Sequence, residues 1–205
     1  MTTLIKTLAE KPWLSGHDGV GVPAEVAIFD LAKEKVGLRA FFAVAASLFM
    51  LFVVAYRLRM VYSDWVPVQD PGVLWLSTGL LVVASVALQV SSIFMSRQHD
   101  QRALTAFYVG GVCTLLFVCC QLVAWSELSN AGYLVSTNPA SSFFYLLTAV
   151  HGLHVIGGLV AWLRTAIRMR SAEPGAARIA VDLCTLYSHF LLLVWAGLFY
   201  LLLNS

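Results

Sequence analysis

FFYLLTAVHGLHVIGGLVAW, residues 143–162, is an apolar run that carries two histidines and three glycines. Its length is what a helix needs to cross the hydrocarbon of a bilayer, about 20 residues at the helical rise. The run is not uniform around its circumference. At helical spacing Thr148, His151, His154, Gly158, Ala161 and Thr165 share one small or polar side, and Tyr145, Leu146, Leu153, Leu159 and Trp162 lie away from it. Lipid tails offer an imidazole no hydrogen bond, and no hydrophobic force acts between helices inside the membrane. The small and polar side is therefore predicted to face protein, with both imidazoles meeting partners on neighbouring helices. The run reads as the internal helix of a bundle.

Composition agrees. The 205 residues are 60% hydrophobic and 12% charged, against about 25% charged in a soluble domain, so the chain reads as an integral membrane protein. A net charge of +2, spread thinly, excludes a nucleic-acid binder. Cys113, Cys119, Cys120 and Cys184 all fall in apolar runs without a C-x-x-C spacing, which points to buried free thiols. Five spans are predicted, near residues 38–56, 73–95, 106–125, 143–163 and 179–203. Residues 1–37 read as a cytoplasmic or interfacial segment: a short apolar face at Leu4, Ile5 and Leu8, a break at residues 15–19, and a second surface helix around Val26, Ile28, Phe29 and Leu31. The charges Lys6, Glu10, Lys11, Asp18, Glu25 and Asp30 argue against a secretory signal there.

Basic residues set the expected orientation. Lys6, Lys11, Lys33, Lys35 and Arg39, then Arg97 and Arg102, then Arg164, Arg168, Arg170 and Arg178 fall on one side of five spans, against Arg57 and Arg59 on the other. The N-terminus is thus expected in the cytoplasm and the C-terminus outside. The remaining spans also have a small or polar side: Thr78, Ser85, Gln89 and Ser92; Gly110, Thr114, Phe117 and Gln121; Thr185, His189 and Ala196. Gln89 and Gln121 are expected to bond across helices. No Asp, Glu, Lys or Arg lies near the middle of a span, which counts against a transporter or proton pump. His151 and His154, three residues apart, could suit a small metal ion only with further ligands, and a bis-histidine haem would need His154 and His189 at matching depth. Hydrogen-bonded histidines that lock helices together are the simpler reading.

Around this helix the sequence resembles subunit III of the haem–copper oxygen reductases, the family of cytochrome c oxidase and the related quinol oxidases. His151-Gly152-Leu153-His154-Val155 followed by Gly158 is similar to the family's H-G-x-H-V-x-x-G. Other parts agree in order: Lys35-Val36-Gly37 and Ala55-Tyr56 around the first span, residues 76–81 in the second, Gln121 with Trp125 in the third, and His189-Phe190 followed by Trp195 in the fifth. The resemblance covers about residues 33–203 and looks like the short, five-span form. It implies a subunit with no catalytic, cofactor or metal residue of its own. Such a subunit packs on the haem- and copper-bearing subunit I beside subunit II, binds phospholipid, and supports proton uptake and the integrity of the oxygen-reducing site. The implied location is the bacterial cytoplasmic membrane, in aerobic respiratory electron transport.

On that reading His151, His154, Gly158, Gln121, His189 and Trp195 are structural, interhelical residues, and Arg97, Arg102, Arg164 and Arg168 are candidates for lipid headgroups. The chain departs from the family where carboxylates are common, with Ala45, Ala124 and Leu192 in their places and Ser188 for a tryptophan. It keeps the histidines and drops the acids, so a divergent oxidase or a paralogous accessory subunit is expected. The alternatives are an accessory subunit of a nitric oxide reductase, a small membrane cytochrome using His154 and His189, and a small transporter.

Overall fold

Long apolar runs ended by glycine, proline or charge fold here into five helices. The computed structural model describes residues 24–66, 72–135, 138–171 and 174–204. These contain α1 (Ala24–Arg59), α2 (Val73–Ser96), α3 (Asp100–Asn130), α4 (Pro139–Ser171) and α5 (Pro174–Leu203), with no strand among the described residues. All five are long and apolar enough to cross a membrane. The fold is all-α. The chain divides into two compact units, Met1–Val36 and Gly37–Ser205; the first is described only as helix from Ala24, and the packing below is that of the second.

The helix ends follow local chemistry. Gly132, at φ +88°, ends α3: its N–H donates to Ser129 O at 3.1 Å and the Tyr133 N–H to Leu128 O at 3.0 Å, the paired bonds of a left-handed helix stop. Gln98 performs the same task after α2 at φ 58°, with the His99 N–H reaching Phe94 O at 3.0 Å, so α2 and α3 are joined by a very short turn. Asn138 caps α4 by accepting the Ala140 N–H at 3.1 Å, and Pro139 takes the first helical position, where its missing N–H costs nothing.

α2 packs on α3 and α5, and α4 packs on α3 and α5, which closes a four-helix ring. α1 meets the ring through aromatic side chains: Phe42 stacks on Phe190 with ring centroids 4.4 Å apart, and Phe49 sits 5.4 Å from the His154 ring. Small residues let the ring close. A Cβ at Gly111 would lie 2.0 Å from Trp162 Cε2, and one at Gly158 would lie 2.8 Å from Tyr187 Cε1.

The helix expected around residues 26–31 falls within α1, which begins at Ala24. Two expectations need correction. Trp162 does not turn away from the small and polar side of its helix, because Gly111 opens a slot for its ring on α3 and its Nε1–H donates to Phe107 O at 3.0 Å. Ala161, placed inside by the same periodicity, is exposed. The segment expected at residues 1–23 lies outside the described residues.

Candidate functional site

The interior of the ring is where the polar residues of the sequence reading converge. His151 is fully buried on α4, one turn past Thr148. Its ring lies 5.2 Å from Trp195 of α5, 5.8 Å from Phe117 of α3 and 6.2 Å from Phe49 of α1. Neither ring nitrogen has a hydrogen-bond partner among the described residues. The expected partner on a neighbouring helix is thus missing here, because aromatic faces and edges close around the imidazole.

The other two histidines differ. His154 Nδ1 lies 2.8 Å from Val150 O in its own helix, and its ring faces Phe41 and Phe49 of α1. His189 Nδ1 lies 2.9 Å from Thr185 O and 3.2 Å from Ser85 Oγ, so it reaches across to α2. His154 turns to α1 and His189 to α2. That divergence does not make the facing pair a bis-histidine haem requires.

Gln121, buried on α3, donates from Nε2 to Ser77 Oγ at 3.1 Å, and its Oε1 has no partner among the described residues. Trp195, also fully buried, donates from Nε1 to Thr78 Oγ1 at 2.9 Å. Gly158 gives the Tyr187 ring its place, and the Tyr187 hydroxyl donates to His154 O at 2.9 Å.

A regular ladder joins α2 to α5. Its rungs are Thr78–Trp195, Ser85–His189, Thr185 Oγ1 donating to Leu88 O at 3.1 Å, and Ser92 Oγ donating to Asp182 Oδ1 at 2.6 Å. On α2 these positions are spaced by seven, three and four residues and on α5 by six, four and three, so they line one seam. Asp182 and Tyr187 are the contributors that periodicity alone did not single out. The signal for Asp182 was a carboxylate one turn before Thr185; for Tyr187 it was a large ring opposite the glycines of α4. Gln89 corrects another expectation: it is exposed and makes no hydrogen bond among the described residues.

This interior can hold helices together. One cavity of about 30 Å³ lies between Leu81, Thr114, Val155, Cys184 and Ser188. That admits a water or two, whereas ligand pockets run to about 300 Å³ or more. Among the described residues no three of His, Cys, Asp and Glu come together as metal ligands would. Arg97, Arg102, Arg164 and Arg168 are exposed at the end of the bundle where α2 and α4 finish, and among the described residues their guanidinium groups are in no hydrogen bond or ion pair. At the opposite end Arg59 Nη1 donates to Asp64 Oδ1 at 2.7 Å, and that bond holds the Asp64 carboxyl below its ordinary pKa.

Known sequences bear on this geometry. A profile of the family described as Cytochrome c oxidase subunit III matches residues 35–204. A Nocardia farcinica protein named Probable cytochrome c oxidase subunit 3 is 35% identical over 128 residues, 60% of this chain and 61% of that protein. A Synechocystis protein named Cytochrome c oxidase subunit 3 is 30% identical over 177 residues, 80% of this chain and 72% of the relative. One from Bacillus sp. (strain PS3), under the same name, is 29% identical over 135 residues, 62% of each chain. The chain spans about three fifths of the length of the Nocardia relative.

Proposed function

The chain belongs to the cytochrome c oxidase subunit III family, and on that premise we propose that it is the non-catalytic subunit III of a haem–copper terminal oxidase in a bacterial cytoplasmic membrane. Haem and copper reside in its partners. The chain packs on subunit I beside subunit II, with its N-terminus in the cytoplasm, and serves aerobic electron transport by supporting proton uptake and the integrity of the oxygen-reducing site. Residues 1–37 form a cytoplasmic or interfacial segment and 38–205 the membrane domain.

What supports this reading, beyond the family, is how the interior uses its polar groups. Gln121, Thr148, Thr185, Ser92, Trp162 and Trp195 each bond across to another helix. Such bonds, with close packing at small residues, are what hold helices together in lipid. A scaffold with a filled centre suits a subunit that braces others. His151 and His154, set among rings, and Gly158, Gln121, His189 and Trp195 are structural, and the exposed Arg97, Arg102, Arg164 and Arg168 are set to meet phospholipid phosphates from the cytoplasmic side.

Purification of the complex from its native membrane through a tag on this chain tests the proposal. Mass spectrometry is expected to find subunits I and II, with a haem signal in the reduced-minus-oxidised spectrum, copper, and oxygen consumption. Partners of a nitric oxide reductase, or a haem band belonging to this chain alone, would overturn it.

A further inference from the structure

We propose that the outer face of the α2–α5 seam, centred on His189 and Gln89, is the docking site for a transmembrane helix of a partner subunit that presents a hydrogen-bond donor at the middle of the membrane. The inference rests on the oxidase reading above and names the surface by which the chain joins its complex.

His189 is the central residue of the span Gly175–Leu203. Its Nδ1 lies 2.9 Å from Thr185 O, and a carbonyl oxygen can only accept. Nδ1 therefore carries the proton, and Nε2 is a bare lone pair. The side chain is exposed, and among the described residues nothing bonds to Nε2. Gln89 stands on α2 one turn beyond Ser85, the residue that His189 touches, about 6 Å further along the helix axis. It too is exposed, with a primary amide that bonds to no described residue. An acceptor and an amide thus stand about one helical turn apart along the seam at hydrocarbon depth.

Lipid tails can satisfy neither, at a cost of about 2 kcal/mol or more for each bare group. Phospholipid headgroups lie roughly 15 Å away, half the thickness of the hydrocarbon layer. A donor at this depth must come from a protein side chain. The surroundings suit close approach by a helix: Gly79 and Gly197 are exposed, and a Cβ added to either would meet nothing within 4 Å. The outer face of α4 differs, with Leu153, Ile156 and Val160 exposed and purely apolar, as a lipid-facing helix should be.

The test is photo-crosslinking in the intact complex, with p-benzoylphenylalanine replacing Val86 or Leu193 on this face, or Leu153 on the outer face of α4. The expected result is an adduct to one and the same partner subunit from positions 86 and 193, and lipid adducts alone from 153. His189→Phe or Gln89→Leu in the crosslinking background should each lower the adduct yield about threefold, the effect of one average hydrogen bond between membrane helices. Lipid adducts alone at 86 and 193, adducts to a second copy of this chain, or partner adducts from 153 only, in a complex that still carries haem-bearing subunits, would overturn the docking site and leave the oxidase reading standing. Absence of haem-bearing partners from the complex would overturn both.

Discussion

The α2–α5 seam and the seam between α1 and the ring hold helices of similar length by different means. Between α2 and α5 a hydrogen bond recurs every one or two turns, from Thr78–Trp195 at one end to Ser92–Asp182 at the other. Between α1 and its neighbours ring contacts run along the seam, with Phe41, Phe42, Phe49 and Tyr56 set against Tyr187, Phe190, His154 and Phe143. In a soluble protein water would expel the rings and compete for the hydrogen-bonding groups. In lipid only directed bonds and van der Waals fit tell one helix position from another. A ladder of directed bonds fixes axial register, because a slip of one residue breaks every rung, whereas stacked rings tolerate small slides. The comparison makes α2–α5 the frame and α1 an adjustable flank.

The largest test falls on the frame. Trp195 is fully buried, touches Phe117, His151 and Phe199, and holds Thr78. Trp195→Ala should cost about 3–5 kcal/mol, in the range of other buried aromatic truncations. The expected outcome is loss of the subunit from the purified complex, read by quantitative mass spectrometry. Full retention would show that the seam does not carry the fold.

His151 should behave in the opposite sense. Its two ring nitrogens are buried without partners among the described residues, and leaving a polar group bare costs about 1–3 kcal/mol. His151→Leu removes that cost at similar volume, so the thermal midpoint of the complex should rise or hold. A clear fall would mean that the imidazole is bonded in the assembled oxidase.

On the flank, Phe42→Ala removes one half-buried ring stacked on Phe190 at 4.4 Å. The expected loss is about 1 kcal/mol, the order of one aromatic pair. It should appear as faster proteolysis at the ends of α1 while the remaining four helices stay intact. Equal loosening of α2 and α5 would erase the distinction between frame and flank.

Much of this was legible in the residues. Five runs of spanning length, with nearly all the charge between them, allow one helix count, and the polar stripe of residues 148–165 located the interior because a lipid-facing helix would not carry it. Other features depend on what a second helix offers at the same height. Trp162 turns inward because Gly111 on α3 leaves it a slot, a pairing that periodicity on α4 alone does not encode. Polar character says that a side chain wants a partner and not that it obtains one: His151 meets rings, Gln89 meets the outside, and His189 divides itself between its own helix, α2 and the exterior. That α1 reaches back to Ala24 has a simpler reason. Lys33 and Glu34 make a polar stretch, but charged residues are ordinary helix formers and do not interrupt α1.

The smallest effect lies at the end of α1, where the flank is anchored by charge. Arg59 closes the helix, holds Asp64 through hydrogen bonds to both carboxylate oxygens, and lies over the Tyr62 ring at 4.9 Å. Because that bond depresses the Asp64 pKa in the folded chain, its contribution is present above the ordinary carboxylate pKa and is lost as the pH falls through the depressed value. The pair is open to water and salt, which limits it to a local effect. Asp64→Asn should therefore speed amide hydrogen exchange over residues 58–64 at neutral pH and low salt, with little change in the thermal midpoint. The difference from the parent chain should shrink in high salt and vanish once acid has protonated Asp64. Arg59 remains beside the free carbonyls at the helix end in the variant, where a cation is favoured whatever its partner. An effect of the substitution that persisted in acid or in high salt would assign the anchor to the fit of the 60–66 turn around Trp65 and Tyr56, which pack edge to face at 4.9 Å, and would make α1 a flank held by rings along its whole length.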